Sequence, residues 1–486
     1  MNRNVINTLC FSPCLTVVTS LCTAAPMAAF ILLRTGSNFK VGLAVGAQGV
    51  ANLCAAFPAA TLADRFGRST IIRFAVLIGF YGFGMLVYVV NTNRNFIGLA
   101  ISLAVIGCFM GAHSSSVEAM FGDSIPSGQR SKLYARRASL RVAGNAVGPL
   151  TSCVVFFFFG DHWRMSELSY VMTAGSFLFI IPALFALSLT DSQTLGDESD
   201  YIAEVDSIRQ DASSNEKTKI ISSRIRRIAA TIVTADLISM LGSGMTIKFI
   251  PLFLWRDCHL SPIAVNAVYA CGPLGIACAA IIAQRASTKF GRIETTIITK
   301  FLGICFLIAM VYLRSPIFII PVYLCRTWLM NCCSGLTRSV LNDYVPKSER
   351  ARWNSFESIN NLSWSGSAVL GGAIIERHGY RATFLVTAAF QLISAAILAT
   401  AAPLVHREVS PLIRSAALLA NDNDTTTTTP LPMHHIPSTS IDGYSLLEYD
   451  HPPDDDDRRS LNQKRDHDDA EQESAGNVVQ QEAAKI

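Results

Sequence analysis

The sequence predicts an all-α membrane protein in which twelve transmembrane helices form two pseudo-symmetric six-helix bundles. Three observations predict it. Half of the 486 residues are hydrophobic, only 16% are charged, and the mean hydropathy is +0.36. The apolar residues fall into repeated runs of roughly 18–25, the length that carries a helix across the hydrocarbon core of a bilayer. A backbone in lipid has no water to bond, so such runs satisfy their own polar groups as helices. Finally, two loop sequences recur in the second half of the chain at nearly one spacing, the mark of a duplicated unit. Asp123-Ser-Ile-Pro126-Ser-Gly-Gln-Arg130 returns 220 residues later as Asp343-Tyr-Val-Pro346-Lys-Ser-Glu-Arg350, and Asp64-Arg65-Phe66-Gly67-Arg68 returns after 224 as Thr288-Lys289-Phe290-Gly291-Arg292.

The first run, 9–33, is long and lacks a clear cleavage region, so it reads as a span and not a signal peptide. Runs 41–63 and 71–90 are separated only by a charged hairpin. Runs 96–121, 133–159 and 167–189 complete a first set of six. Residues 190–227 are polar, acidic first (Asp197, Glu198, Asp200) and then basic (Lys217, Lys219, Arg224, Arg226, Arg227). A second set follows at 228–250, 262–284, 294–313, 316–339, 353–375 and 381–405. The expected domains are therefore 1–189, a first bundle; 190–227, a central loop; 228–405, a second bundle; and 406–486, an acidic tail expected to be disordered because its composition buries no core. Within the tail, Tyr444-Ser-Leu-Leu447 matches a tyrosine-based sorting signal and His434-His435 a loose metal site; a solvated acidic tail is the simpler reading of both. Of the thirteen cysteines, Cys54, Cys108, Cys153, Cys278, Cys305 and Cys325 lie inside apolar runs and read as small buried hydrophobes.

Orientation follows from lysine and arginine in short loops. Eighteen lie on the side of the Asp64–Arg68 hairpin and eight on the other, which makes the hairpin side, and with it both termini, cytoplasmic.

The hairpin Ala60-Thr61-Leu62-Ala63-Asp64-Arg65-Phe66-Gly67-Arg68-Ser69 resembles the signature that joins spans 2 and 3 in the major facilitator superfamily of transporters, and the likeness extends over about residues 5–405. From the residues, Gly67 permits a tight turn and the charges can pair with neighbouring helix ends. The resemblance implies that Asp64, Arg65, Gly67 and Arg68 latch the two halves in one conformation, with Glu118 at the end of span 4 the expected partner of Arg68. Gly144-Asn-Ala-Val-Gly148-Pro149 in span 5 has glycines four apart, which let helices approach closely, and a proline that bends the span. It resembles the core of a signature found in the drug:proton antiporters of that superfamily; an ordinary close-packed helix is the equal alternative.

Charges inside a membrane are costly and usually functional. Asp236 lies in span 7, Arg326 near the middle of span 10 and His113 in span 4. The resemblance implies that spans 1, 4, 7 and 10 line a central cavity, so these three face one water-filled space. Asp236 and Arg326 are expected as a neutralised pair, with Asp236 taking the coupling proton and His113 titrating near physiological pH. A static ion pair between spans is the alternative. Arg141, in span 5, snorkels or contacts substrate, and Lys248 and Lys300 are expected to snorkel from span ends. Gly242-Ser-Gly244 reads as a kink.

The expected function is transport of small organic solutes by alternating access, coupled to protons. A nutrient or organic-anion uniporter or symporter on the same fold, and a non-transporting receptor or scaffold, are the alternatives. The sequence shows no metal constellation, phosphate loop or nucleophile triad, so neither an enzyme nor a cofactor is expected. The expected partners are a small-molecule substrate, protons and the lipid bilayer, without nucleic acid, for a monomer in the plasma membrane or a vacuolar or endosomal membrane.

Overall fold

The computed structural model describes residues 2–93, 95–125, 130–195, 216–337, 340 and 350–422. Among them no strand occurs, and eleven helices are long and apolar enough to cross a membrane. They are α1 (Arg3–Thr35), α2 (Asn38–Phe66), α3 (Arg68–Thr92), α4 (Phe96–Asp123), α5 (Lys132–Phe159), α6 (Met165–Leu187), α7 (Arg227–Arg256), α8 (Pro262–Phe290), α9 (Arg292–Tyr312), α10 (Pro316–Thr337) and a last segment, Ser363–Pro403. The last segment has 41 residues, about 60 Å of helix and twice a bilayer core. It is bent at Gly379, where φ is 81° and ψ 172°. A Cβ on Gly371 would stand 2.2 Å from the Met245 carbonyl, while the Thr387 hydroxyl bonds that of Thr246. Positions eight residues before and after the bend thus touch one level of α7. The two limbs, α11 (363–378) and α12 (380–403), therefore both reach that level of α7, which divides the eleven helices of the described residues into twelve crossings.

The outward faces are apolar. Phe157 and Phe158 are each 75% exposed and Ile317 77%, a surface that suits lipid and not water. This corrects the expectation for the cysteines. Cys54, Cys278 and Cys305 are exposed and Cys108, Cys153 and Cys325 half-buried; the buried thiols are Cys22, Cys258, Cys332 and Cys333. A thiol in an apolar run satisfies lipid as well as a protein core.

The duplication is visible in the backbone. Gly67 between α2 and α3 has φ 86° and ψ 144°, and Gly291 between α8 and α9 has φ 98° and ψ 154°. Both positive φ values favour glycine. The same 224-residue step links the N-caps of α2 and α8, Ser37 and Ser261, and the breaks in α1 at Ala24 and in α7 at Lys248. Each break precedes a proline, Pro26 or Pro251, which lacks an N–H for the carbonyl four residues earlier. The kink expected at Gly242-Ser-Gly244 is therefore misplaced. The helix is continuous there, and the glycines admit neighbours: a Cβ on Gly244 would lie 2.0 Å from the Trp364 carbonyl, and one on Gly242 2.7 Å from Phe390.

At the end away from the Asp64–Arg68 hairpin, here the far end, the two halves are joined. Gly42, Gly46 and Gly49 of α2 pack against Ala368, Val369 and Ser365 of α11. Trp163 stacks on Trp255 at 4.9 Å and its Nε1–H donates to the Leu260 carbonyl at 2.8 Å. Two carboxylates cross between halves. Asp161, after α5, accepts from the Ile263 N–H at the start of α8 at 2.8 Å. Glu376, near the end of α11, accepts from the Phe39 N–H at 2.8 Å and the Ser37 hydroxyl at 2.7 Å, at the start of α2. Each half thus caps the first turn of a helix in the other, where exposed N–H groups favour an anion.

Helix also covers Glu216–Ile247 and continues to Asp422, so residues 216–227 and 406–422 are helical where the sequence reading placed loop and tail. Residues 341–349, with most of the second Asp-Pro-Arg loop, and the tail signals at 434–435 and 444–447 lie outside the described residues.

Candidate functional site

The polar groups within the helices gather at two depths. Near the hairpin end of the N-terminal half, Arg137 of α5 pairs with Glu118 of α4, donates from Nε to the Ser12 hydroxyl of α1 at 3.1 Å, and lies 5.0 Å from the centre of the Phe121 ring. Near the hairpin end of the C-terminal half, Lys300 of α9 donates to Asp236 of α7 at 3.3 Å. Lys300 is 9% exposed, so it does not snorkel as expected. Beside this pair the Thr299 hydroxyl meets the Cys333 thiol at 3.2 Å.

At mid-depth, Arg326 of α10 is only 3% exposed, and its Nε has no hydrogen-bond partner. Among the described residues no carboxylate pairs with it; the groups acting on it are the phenols of Tyr323 and Tyr269, whose rings are 6.2 Å apart. Pro251 explains why Tyr269 sits there. The missing N–H at residue 251 leaves the Ile247 carbonyl without its helical donor, and the Tyr269 hydroxyl is 3.5 Å from that oxygen. The same break turns Lys248 out of the helical ladder, and its Nζ lies 4.7 Å over the Trp364 ring. Arg326, Tyr323 and Tyr269, from α10 and α8, thus form one cluster, which the Ile247 carbonyl joins to the neighbouring Lys248–Trp364 pair of α7 and α11.

The structure does not bring Asp236 and Arg326 together. Eleven residues of α7 separate Asp236 from Ile247, the level of the tyrosines, or ~16 Å at 1.5 Å per residue. Asp236 is paired with Lys300 instead. His113 is buried inside the N-terminal half, with Nδ1 2.8 Å from the Phe109 carbonyl, its ring stacked on Phe109 and edge-on to Phe11; it contacts neither residue. Arg141 is exposed, one turn from Arg137 along α5.

The hairpin differs from expectation in its partners. Arg68 pairs with Asp123, the last residue of α4, and Glu118 is taken by Arg137. Asp191, after α6, accepts from the Ser69 N–H at 3.1 Å and its hydroxyl at 2.6 Å, capping α3. Arg68 and Ser69 thus grip the ends of α4 and α6 in their own half, and Asp64 and Arg65 stand exposed. Gly144 and Gly148 bring α5 against α1, with a Cβ at either meeting Pro13 or Ser20 at 2.8 or 2.4 Å; the helix passes Pro149 unbroken.

Sequence reasoning missed Lys300, Tyr269, Tyr323 and Asp191. Lys300 had a signal: it lies eight residues into α9 as Asp236 lies nine into α7, opposite charges at one depth. The tyrosines had Pro251, whose freed carbonyl called for a donor.

A sequence profile of the Major Facilitator Superfamily matches residues 14–326 and 232–430. An uncharacterized transporter of Buchnera aphidicola subsp. Schizaphis graminum is 30% identical over 167 residues, 34% of this chain; the chain spans 40% of the length of this curated relative. Three solved structures share the fold at 12% identity. The nucleoside transporter NupG superposes with a TM-score of 0.60 over 82% of this chain and 99% of its own. A D-xylose-proton symporter gives 0.61 over 81% and 96%, and an auto-inhibited POT family peptide transporter 0.63 over 82% and 97%.

Proposed function

The chain belongs to the major facilitator superfamily, and on that premise we propose that it carries small organic solutes across a membrane by alternating access, driven by protons. The duplicated halves, clasped at one end by reciprocal carboxylates, support the rocking motion. The basic hairpin end is the cytoplasmic one by its lysine and arginine excess. The clasped far end is then the sealed outer mouth.

The observation that carries the proton coupling is the Asp236–Lys300 pair. Its carboxylate side chain is 36% exposed while its ammonium partner is nearly enclosed, so the acid is the accessible member of the pair. Protonating Asp236 cancels the attraction and leaves Lys300 without its counter-charge. A proton thereby biases the packing of α7 on α9, and α7 also carries the Lys248 break; a ligand shifts a conformational equilibrium by as much as it distinguishes the two states. A D-xylose-proton symporter with the same fold gives the reading a precedent. The likeness of Gly144-Asn-Ala-Val-Gly148-Pro149 to the antiporter signature, in an α5 packed closely on α1 there, supports the antiporter direction, and Arg68, Gly67 and Asp123 serve as the latch that fixes the hairpin to its own half, with Asp64 and Arg65 left exposed.

The test is flux in proteoliposomes with and without an imposed pH gradient. Asp236→Asn should abolish acceleration by the gradient while substrate binding persists. Gradient-driven flux at the wild-type rate in that variant refutes the role.

A further inference from the structure

We propose that the mid-depth wall made by Arg326, Tyr269, Tyr323, Lys248 and Trp364 is the substrate subsite, and that it takes a small organic anion: a carboxylate head on an aromatic or apolar body. This rests on the transport reading above and names the cargo of that carrier. Arg326 is 3% exposed with an unbonded Nε and no carboxylate partner among the described residues. A guanidinium enclosed this way, without a counter-charge, is strongly disfavoured in an apolar interior. Asp236, which neutralises Lys300, leaves Arg326 unneutralised. An anion that arrives with the substrate supplies what the fold omits, and a planar guanidinium matches a carboxylate by two parallel N–H···O bonds.

The neighbours define the rest of the molecule. Tyr269 and Tyr323 offer ring faces and hydroxyls beside the guanidinium, and Trp364 lies under Lys248, the residue after the Ile247 carbonyl that Tyr269 meets. Such walls stack flat apolar groups and hydrogen-bond their edges. Lys248 has no carboxylate partner among the described residues either, so the wall carries two positive charges. The apolar surroundings favour a singly charged carboxylate over a phosphate, whose larger charge costs more to dehydrate.

The experiment uses the full-length protein in detergent and a set of small aryl and alkyl carboxylic acids, each matched with its primary amide, read by thermal shift. Acids should raise the Tm and amides should not. Arg326→Gln should weaken the acids at least tenfold, Arg326→Lys should retain part of the response, and Lys248→Gln should lower it to a smaller degree. If Arg326→Gln does not yield folded protein, Arg326→Lys and Lys248→Gln carry the comparison, each expected to reduce acid affinity. Amides as effective as acids, no acid that shifts the Tm, phosphate monoesters that outdo the acids, or an undiminished acid response in the Arg326 variants would each overturn the assignment. Vesicle flux separates the two readings. Neutral solutes carried equally by wild type and Arg326→Gln would remove the anion subsite and leave the carrier, whereas acid binding without any flux would remove the carrier and leave the subsite.

Discussion

Asp236 and Lys300 meet at 3.3 Å within the membrane, and removing one partner leaves the other charged and enclosed. Asp236→Asn alone should cost about 1–3 kcal/mol, less than the ~3–5 of a fully buried pair because the carboxylate is partly exposed. Lys300→Met added to it should restore most of that stability, since no orphan charge remains. Thermal denaturation checks the recovery, and flux should stay insensitive to the pH gradient in the double variant. A double variant no more stable than the single would mean that the pair is not coupled. Asp236 was legible as an unusual intramembrane acid. Its partner was not, because a span taken by itself places Lys300 at an interface. Matching opposite charges at equal depth across all spans would have found it. The same blindness gave Arg68 the wrong acid: Glu118 and Asp123 both lie near the end of α4, and only the three-dimensional packing decides that Arg137 takes the first.

Helices were the most legible level, since hydropathy and length depend only on the chain being in lipid. What hydropathy hides is which face of each helix looks inward. Lipid and protein interior are both apolar, which is why an apolar run did not tell that Cys54, Cys278 and Cys305 are exposed. Breaks within helices were half legible. Gly242 and Gly244 suggested one, but glycine in a membrane serves close packing as readily as bending. Pro251 is the residue that breaks α7, by withdrawing a donor from the Ile247 carbonyl. Pro251→Ala should return that donor and straighten α7 across Lys248. The new amide at residue 251 should be protected from hydrogen exchange, and substrate affinity should fall several-fold as Tyr269 loses its acceptor. An unprotected amide with unchanged affinity would show that the break is held by other packing.

The whole molecule shows its duplication more fully than the sequence did. The hairpin echo at 224 residues was readable, and the structure adds Ser37 with Ser261 and Ala24 with Lys248 at the same step. Asp161 and Glu376 are 215 residues apart, off that register, so no alignment of the halves reveals that each caps the other. A carboxylate at a helix start is worth about 0.3–2 kcal/mol, and two act together here. Asp161→Asn with Glu376→Gln should therefore move the population toward an opened far end, by about tenfold where the two caps together are worth ~1.4 kcal/mol. Cys258 is a built-in reporter. It is 3% exposed at the far end, and burial, with Asp257 beside it, pushes its thiol up to about 11, which suppresses the reactive thiolate. In a variant with Cys258 as its sole cysteine, maleimide labelling should rise about tenfold when both carboxylates are removed; labelling as slow as in the parent would show that the tryptophan and glycine contacts suffice. The exchange of caps also fixes when the mouth first seals. Ile263 follows Asp161 by 102 residues, but Glu376 is added 337 residues after Phe39, roughly 17–70 s later at a ribosome's ~5–20 residues per second. A nascent chain therefore inserts most of its length with one of its two fastenings still unmade, and a product cut short before residue 376 never acquires it.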